Sequence, residues 1–541
     1  MGGQIGPGPG LAKRRTASQA LTVAAGFAAA LSATVALSVL AAGPGLRVQF
    51  VPDDAHYYLT LARHFAVDGQ WTFDGGVSVT TGFHPLHAYI LAGLFWCAQP
   101  SPDGFVTLSL VYSFLLLALP LTMGLRFARR SGRTHCFLLL ILFVLSRNVL
   151  LNAVSGVEWT WTVTLAACYA ALLWQAPQWS LLRTAAALAL CGLALAWART
   201  DSGLWPAAVA VAAAAEALFR GNRRFLTPSL AGLAGAITGS VTLAAHNAFI
   251  SGSLLQSSAQ MKIWWGAVSG TSFIPLAQKV TQLFGPDGQL STVLALALAT
   301  LALFDAGRRF GSHHTGGSTD APLEVARERV LWLAGALAVA GYFLLYARSA
   351  FAIQNWYTGN LVTPLFMLLS LPLSKQPGRD TVAWLRGLAL AGLIVAQLPA
   401  AWNLMSRAEW PHQQYMREAG IWLGSNQPAG ITGSWNAGII GYYEGGRVVN
   451  LDGLVNNDIY SFAVTNSLPA YLENIGITYV VDYPAMLHDQ RFRRRGGYDD
   501  AAFVARFQPQ QVFDNSPTVW RNLTLFRIIP PSSHTPSASV D

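Results

Sequence analysis

Long apolar segments separated by short polar segments dominate the chain from residue 21 to residue 402. A transmembrane helix needs about 20 consecutive, predominantly apolar residues, and eleven segments approach or reach that length with their flanks included. The pattern therefore predicts a polytopic α-helical membrane protein with about 11 transmembrane helices. The predicted spans are Leu21–Ala42, Phe105–Leu125, Cys136–Leu150, Trp159–Trp174, Leu181–Ala198, Leu204–Phe219, Leu226–Phe249, Leu290–Phe304, Val330–Ala347, Gly359–Leu373 and Val382–Trp402.

The stretch between the first two spans, residues 43–104, is predicted to form a large first external loop with interfacial helices. Its apolar segment Pro85–Ala98 is too short to span and suits an interfacial or re-entrant helix. Apolar residues recur at helical spacing over Ala55–Ala66, which predicts an amphipathic helix. The Asp-Gly pair within Thr72–Val77 predicts a strand–turn–strand unit.

The distribution of Lys and Arg predicts the orientation of the chain in the membrane. Basic residues concentrate in alternate short loops, among them Lys13–Arg15, Arg126–Arg133 and Arg220–Arg224, as they do in cytoplasmic loops. Counting Pro85–Ala98 as a span would break this asymmetry. We therefore expect an integral plasma (inner) membrane protein with a cytoplasmic N-terminus and, because the number of spans is odd, an external C-terminal domain.

From about Leu404 the apolar runs shorten and alternate with helical patterns, which predicts a small external α/β domain at residues 403–529. Its predicted strands are Gly433–Gly441, Arg447–Leu451, Ile477–Asp482 and Thr518–Ile529. Its predicted helices are His412–Leu423 and Ser467–Ile475. The Gly/Pro-rich N-terminus, residues 1–20, and the Pro/Ser-rich tail, residues 530–541, are expected to be disordered.

Composition excludes two broad classes of protein. Only 11% of the residues are charged and 53% are hydrophobic, whereas soluble proteins carry about 25% charged residues. The net charge of +9 lies in short loops between apolar segments, which argues against a nucleic-acid partner. The four cysteines all fall in apolar stretches without metal-ligand spacing, so neither a zinc site nor a disulfide framework is indicated.

Two adjacent carboxylates, Asp53 and Asp54, follow the first span and precede the predicted Ala55–Ala66 helix. Asp54 stands where a helix N-cap is expected, and its carboxylate could accept hydrogen bonds from the first free amides. Asp53 is then left over beside the membrane surface and is a candidate general base. The alternative is that both are solvated loop acids that merely start a helix.

Further ionisable residues fall on the predicted external face. His84 precedes a short apolar helix and could bind a phosphate or a sugar, or simply satisfy backbone carbonyls. Glu158 begins the fourth predicted span, where an acid favours the helix dipole. Arg199 and Asp201 end the fifth span as a local ion pair or, because ionisable residues at membrane depth are often functional, as part of a site. Lys262 is one of few external cations that could neutralise an anionic lipid headgroup.

Taken in order, these motifs resemble those of the GT-C superfamily of integral membrane glycosyltransferases, including the protein O-mannosyltransferases and the aminoarabinose and arabinofuranosyl transferases. The chain departs from the family pattern at Val157, Thr200 and Gln256, where Met, Pro and Pro are usual. The resemblance covers most of the chain and rests on Asp53-Asp54, Phe73-Asp74-Gly75-Gly76, Gly82-Phe83-His84-Pro85-Leu86, Ser155-Gly156-Val157-Glu158, Ala198-Arg199-Thr200-Asp201, Asn247 to Lys262 and Val448 to Asn456.

The resemblance implies an inverting transfer of a sugar from a polyprenyl-phosphate donor to a hydroxyl of a glycan, lipid or protein at the external face. It implies that Asp53 is the general base and that Asp54 caps the helix or orients the acceptor. A divalent metal shared by Asp53, Asp54 and Glu158 is a further option, which no ligand spacing requires. The implied roles of the other residues are donor-phosphate binding by His84, Lys262, Arg199 and Arg348, and acceptor binding or support by Glu158, Asp201 and Tyr57.

A polytopic transporter or lipid-carrier flippase is the competing interpretation, because it would also carry rare charges among apolar spans. The sequence shows no inverted repeat and no paired Gly/Pro-broken spans, which are typical of secondary transporters. The charged candidates also gather at one predicted face, which favours the transferase. The enzyme interpretation requires that the base reach a cavity.

Overall fold

The structure is a computed structural model that describes residues 9–131, 134–285, 289–311, 323–347, 353–371, 381–514 and 520–530. Helices form most of it, and three 3-10 turns, Ala176–Gln178, Thr200–Gly203 and Asn355–Thr358, join some of them. The helices of the membrane part are α1 (Pro9–Ala41), α2 (Pro44–Arg47), α3 (Asp53–Asp68), α4 (Pro85–Ala98), α5 (Pro102–Ser131), α6 (Thr134–Leu145), α7 (Arg147–Ala153), α8 (Trp159–Gln175), α9 (Leu181–Ala198), α10 (Leu204–Arg220), α11 (Leu226–Ser251), α12 (Ser257–Ser269), α13 (Ile274–Phe284), α14 (Gln289–Gly311), α15 (Leu323–Ala347), α16 (Gly359–Ser370) and α17 (Thr381–Ser406).

A helix lies at each of the eleven predicted spans, which confirms a polytopic helical membrane protein. Within the described residues, however, only 7 helices are long and apolar enough to cross a membrane, or 8 if α6 and α7, which are bent by 57°, form one span. The helices α8 and α16 have 17 and 12 residues and fall short. The count of about 11 spans therefore stays a prediction. The 14-residue helix α4 matches the predicted interfacial helix residue for residue.

Close packing of α9 against α11 depends on glycines that let the two backbones approach, as small residues do in membrane helices. A Cβ atom at Gly192 would lie 2.2 Å from the carbonyl oxygen of Gly232, and one at Gly235 would lie 1.9 Å from that of Ala189. This contact fixes the end of α9, which carries Arg199, relative to the connection between α11 and α12.

The segment between α1 and α5, residues 43–104, is folded into the protein. Helix α3 begins two residues earlier than predicted, and Pro52, not Asp54, occupies its N-cap position. The helix predicted over Ala55–Ala66 is therefore confirmed, and the run Ala55–Ala62 is buried on all sides instead of along one face. The predicted strand–turn–strand is instead an irregular loop in which Asp74 accepts hydrogen bonds from the amide of Ser78 (2.8 Å) and the hydroxyl of Thr72 (2.9 Å).

The C-terminal domain is a mixed α/β unit, as predicted, built on a five-stranded sheet of order β2-β1-β3-β5-β4. Strand β1 pairs in parallel with β2 and β3, whereas β5 runs antiparallel to β3 and β4. Its elements are α18 (Gln413–Asn426), β1 (Ile431–Ser434), α19 (Ala437–Glu444), β2 (Val449–Asn450), α20 (Ile459–Val464), α21 (Leu468–Ile475), β3 (Ile477–Asp482), α22 (Pro484–His488), α23 (Gln490–Gly496), α24 (Ala501–Val504), β4 (Phe507–Val512) and β5 (Thr524–Ile528).

Three boundaries differ from the sequence-based expectations. The predicted strand Gly433–Gly441 is a short strand followed by α19, because an apolar run does not distinguish a buried strand from a buried helix. Strand β4 escaped prediction because it is rich in glutamine. Helix α1 begins at Pro9, so residues 9–20 are helical and not disordered; residues 1–8 and 531–541 lie outside the described chain.

Candidate active site

Polar side chains from the loop between α1 and α5 and from neighbouring helix ends converge on a small cavity of about 40 Å³, which has room for ordered water but not for a sugar. Helices α3 and α12, the start of α8, the end of α9 and the loop after β2 surround it. Its lining residues are Asp54, Tyr57, Tyr58, Leu61, Gly82, Phe83, His84, Glu158, Arg199, Ser258, Lys262, Trp356, Leu454 and Val455.

The two adjacent carboxylates point to different parts of the molecule. Asp53 turns away from the cavity, and its side-chain oxygens accept hydrogen bonds from the amides of Gly438 (3.1 Å) and Ile439 (2.6 Å) at the start of α19. The expectation that Asp53 faces the site is therefore wrong, because Asp53 is held by the C-terminal domain. Of the two roles expected of Asp54, the helix cap is wrong because Pro52 occupies that position, and acceptor orientation stays a prediction, since Asp54 lines the cavity.

Asp54 has the properties of a reactive carboxylate. Among the described residues, it makes no hydrogen bond or ion pair, and it is only partly buried. Burial raises the pKa of Asp54 above its ordinary value of 3.8, while Lys262 acts in the opposite direction. A carboxylate that is unpaired and weakly stabilised as an anion can accept a proton more readily than a solvated one.

A buried network forms the membrane-facing wall of the cavity. The Arg199 guanidinium donates to Glu158 (2.5 Å) and to Asp201 (2.9 Å), and its carbon lies 4.2 Å from the centroid of the Tyr357 ring. The hydroxyl of Tyr58 donates to the other oxygen of Glu158 (3.0 Å). Glu158 occupies the N-cap position of α8, as the helix-dipole interpretation expects, but its side chain makes no cap hydrogen bond and also pairs with Arg199.

Asp201 lies one layer further from the cavity. Its carboxylate accepts hydrogen bonds from Tyr346 (2.6 Å), Asn360 (2.8 Å) and Arg199. These partners leave Asp201 fully engaged, so it supports Arg199 and does not line the cavity.

Lys262 and His84 also line the cavity, one as a cation and the other as a neutral ring. Burial alone would lower the pKa of Lys262, but Tyr357 and Asp54 hold it above the ordinary value, so the side chain is a cation. Burial lowers the pKa of His84 to about 4, so its ring is neutral at pH 7 and is a hydrogen-bond donor, not a charge. Its Nδ1 atom has no partner among the described residues.

The remaining candidates divide between the cavity and other places. Tyr57 lines the cavity, and its hydroxyl accepts a hydrogen bond from Asn450 (3.3 Å). Arg348 lies outside the described residues. No group of three or more His, Cys, Asp or Glu in the described chain is placed to hold a metal ion, so the metal site suggested for Asp53, Asp54 and Glu158 is not formed.

Sequence reasoning missed three residues of the cavity. The helical pattern places Tyr58 only on an apolar helix face, whereas its phenol donates a hydrogen bond to Glu158. Leu454 and Val455 come from the C-terminal domain, more than 400 residues along the chain from α3's first turn, and no local pattern could place them there.

A second, apolar cavity of about 510 Å³ runs between helices of the membrane part. It is lined by side chains such as Phe114, Phe143 and Phe366, with Arg126 and Arg130 at the far end of α5. Trp159 lines this cavity while the preceding residue, Glu158, lines the polar one. An apolar groove therefore reaches the wall of the polar cavity.

Comparison with known proteins agrees with this architecture. Residues 405–526 match the family model described as "Domain of unknown function (DUF8728)", and no curated protein matches the chain. Two solved structures are similar to it: ArnT from Cupriavidus metallidurans bound to undecaprenyl phosphate, and the same protein in the apo state. Each has a TM-score of 0.51 and covers 92% of this chain and 97% of ArnT, at 12% and 13% identity, respectively. The chain therefore has an ArnT-like fold, which confirms the GT-C-like membrane architecture expected from its sequence.

Proposed function

We propose that this protein is a glycosyltransferase that moves a sugar from a polyprenyl-phosphate donor to an acceptor hydroxyl at the external membrane face. The observation that carries the proposal is the pairing within one cavity of an unpartnered carboxylate, Asp54, with a cation that makes no ion pair among the described residues, Lys262. The ArnT-like fold and the neighbouring apolar groove support a lipid-linked donor, since ArnT itself was solved with undecaprenyl phosphate.

The proposed reaction is a single displacement at the anomeric carbon. Asp54 takes the proton from the acceptor hydroxyl while the oxygen of that hydroxyl forms the new bond to the anomeric carbon of the sugar. The bond between the anomeric carbon and the phosphate oxygen breaks, and its electron pair stays on the polyprenyl phosphate. One displacement from the opposite face inverts the anomeric configuration.

The leaving phosphate needs positive charge in a site with little water. Lys262 provides a cation at the cavity, and the neutral ring of His84 lies beside it, with its Nε2 atom 3.6 Å from the Glu158 carboxylate. Arg199 is already paired with Glu158 and Asp201, so its part is to fix the position of this wall. The small volume of the cavity requires it to widen when donor and acceptor bind.

The proposal is tested by reconstituting the full chain with a panel of polyprenyl-phosphate pentoses and hexoses and an extract of membrane lipids and glycans. Sugar transfer with release of polyprenyl phosphate that is lost in Asp54→Asn supports it. Movement of the intact donor across the bilayer, unchanged by Asp54→Asn, would favour the flippase instead. A reporter fused after Trp402 should be active only outside the cytoplasm, because the C-terminal domain is proposed to be external.

A further inference from the structure

The start of α19 is a built site for an anion, and a side chain of the membrane part fills it. Backbone amides at a helix N-terminus have no partner within the helix and attract negative charge. In α19 the amides of Gly438 and Ile439 donate to the two oxygens of Asp53. The turn between a parallel strand and the next helix commonly binds a ligand's anionic group, and here the anion is an aspartate of α3.

This anion site is rigid because a second aspartate organises the turn that leads into α19. Asp482, at the end of β3, accepts hydrogen bonds from the amides of Trp435 (2.7 Å) and Asn436 (2.9 Å) and from the hydroxyl of Ser434 (3.1 Å). The first turn of α19 is thereby fixed to the sheet. The position of Asp53 is therefore set by the core of the C-terminal domain.

The contact between α19 and α3 leaves no room for a side chain at Gly438. A Cβ atom there would lie 2.3 Å from the carbonyl oxygen of Asp53 and 2.8 Å from its carboxylate. The next residue of α3, Asp54, faces the catalytic cavity. Any shift of Asp53 at this contact is passed through one peptide unit to the proposed base.

The same domain also touches the other walls of the cavity. The carbonyl oxygen of Leu454 accepts a hydrogen bond from Ser257 (3.0 Å) on α12, the helix that carries Lys262. Asn450 donates to the hydroxyl of Tyr57 (3.3 Å), and Asn457 accepts from the amide of Thr81 (2.9 Å) in the loop before His84. One domain thus contacts the elements that carry each proposed catalytic group except Arg199.

We infer that the C-terminal domain is a positioning unit of the catalytic centre, and that Asp53 is a positioning residue through which α19 sets the orientation of Asp54. The inference rests on the proposed function. It assigns a role to the domain of unknown function matched at residues 405–526, which would otherwise be an external appendage.

The experiment disrupts one contact from both of its sides. Asp53→Asn removes the charge from α3, and Gly438→Ala inserts a methyl group from α19. Each variant should lower kcat about 10- to 100-fold, as displacement of a catalytic group does, and leave the KM for the donor within about threefold. Because both break the same contact, the double variant should be no worse than the more impaired single variant. Gly93→Ala is the matched control, because Gly93 lies exposed in the middle of α4 and a Cβ atom there meets nothing within 4 Å. The activity of this variant should be unchanged.

Two outcomes would overturn the inference. If Asp53→Asn abolishes transfer while Gly438→Ala retains it, Asp53 acts as the base itself. If Gly438→Ala folds and matches Gly93→Ala in kcat, the domain does not position the site. Should Gly438→Ala fail to fold, Asp54→Asn decides: transfer lost in Asp54→Asn and kept in part in Asp53→Asn supports the positioning role, whereas transfer abolished in Asp53→Asn and kept in Asp54→Asn identifies Asp53 as the base.

Hydrogen exchange in the full-length protein separates this inference from the proposed function. Gly438→Ala should raise amide exchange at the start of α3, and Gly93→Ala should not, whether or not a donor is found. Raised exchange with no transferase activity in the wild type would contradict the proposed function and leave the docking intact. Unchanged exchange would overturn the positioning role even if the wild type transfers sugar.

Discussion

The membrane part contains two regions of buried charge that differ in how completely the charges are matched. Far from the cavity, Glu216 on α10 pairs with Arg329 on α15 (2.5 Å), and Asp305 on α14 pairs with Arg386 on α17. At the cavity, by contrast, Asp54 has no partner in the described residues. Matched pairs join helices, whereas an unmatched carboxylate costs stability that only a function can justify. This difference distinguishes charges that stabilise the fold from the charge proposed to take part in catalysis.

The largest expected effect comes from replacing the unmatched carboxylate. Asp54→Asn should lower kcat about 10²- to 10⁴-fold, because the general base is lost. Thermal stability should stay nearly unchanged, because Asp54 is only partly buried and its side chain makes no hydrogen bond or ion pair among the described residues. Steady-state transfer assays and melting in detergent measure both quantities. Loss of stability with activity retained would place Asp54 among the structural charges.

The matched pair should show the opposite behaviour. Glu216→Gln leaves Arg329 buried without its counter-charge and should cost about 3–5 kcal/mol of stability, whereas kcat per folded molecule should not change. The double variant Glu216→Gln with Arg329→Met should recover much of the loss, since no unpaired charge is left. Melting and activity of both variants test this, and a specific loss of kcat in Glu216→Gln would contradict the comparison.

A smaller effect is expected at the unpaired cation. Lys262→Met should reduce kcat/KM about 10- to 100-fold because the leaving phosphate loses electrostatic stabilisation. Lys262→Arg should retain more activity than Lys262→Met, since it keeps the charge. Equal losses in both variants would show that the shape of the side chain matters and its charge does not.

The smallest effect is a shift in the pH dependence. Transfer needs ionised Asp54, so kcat/KM should rise with pH through the pKa of that carboxyl, which burial raises above 3.8. Lys262 favours the ionised form, and Lys262→Met should therefore move the limb to higher pH. The pH–rate profiles of wild type, Lys262→Met and Glu216→Gln measure the shift, and Glu216→Gln should leave the limb in place. A shift to lower pH in Lys262→Met would contradict the proposed geometry.

Much of the fold could be predicted because the physics that determines it is local. The length of each apolar segment located the helices, and a length of only 14 residues separated α4 from the predicted spans. The same reasoning gathered His84, Glu158, Arg199 and Lys262 on one face, and all four line one cavity. Whether α8 and α16 cross the membrane depends on neighbouring helices and not on their own composition.

The roles of the two adjacent aspartates could not be predicted from the sequence. Local capping rules predicted Asp54 at the N-cap of the helix and left Asp53 as the candidate general base. The structure reverses their positions because Asp53 is bound by amides almost 400 residues along the chain. A contact between two domains decides which carboxylate is buried in a structural role, and no periodicity or turn signal records such a contact.

The comparison of Asp53→Asn with Asp54→Asn in the same transfer assay tests the central claim most directly. Both variants make the same chemical change at neighbouring positions of one helix turn. We expect Asp54→Asn to lose transfer about 10²- to 10⁴-fold, while Asp53→Asn keeps a larger share of the activity. Full loss of activity in Asp53→Asn, with Asp54→Asn still active, would contradict the account.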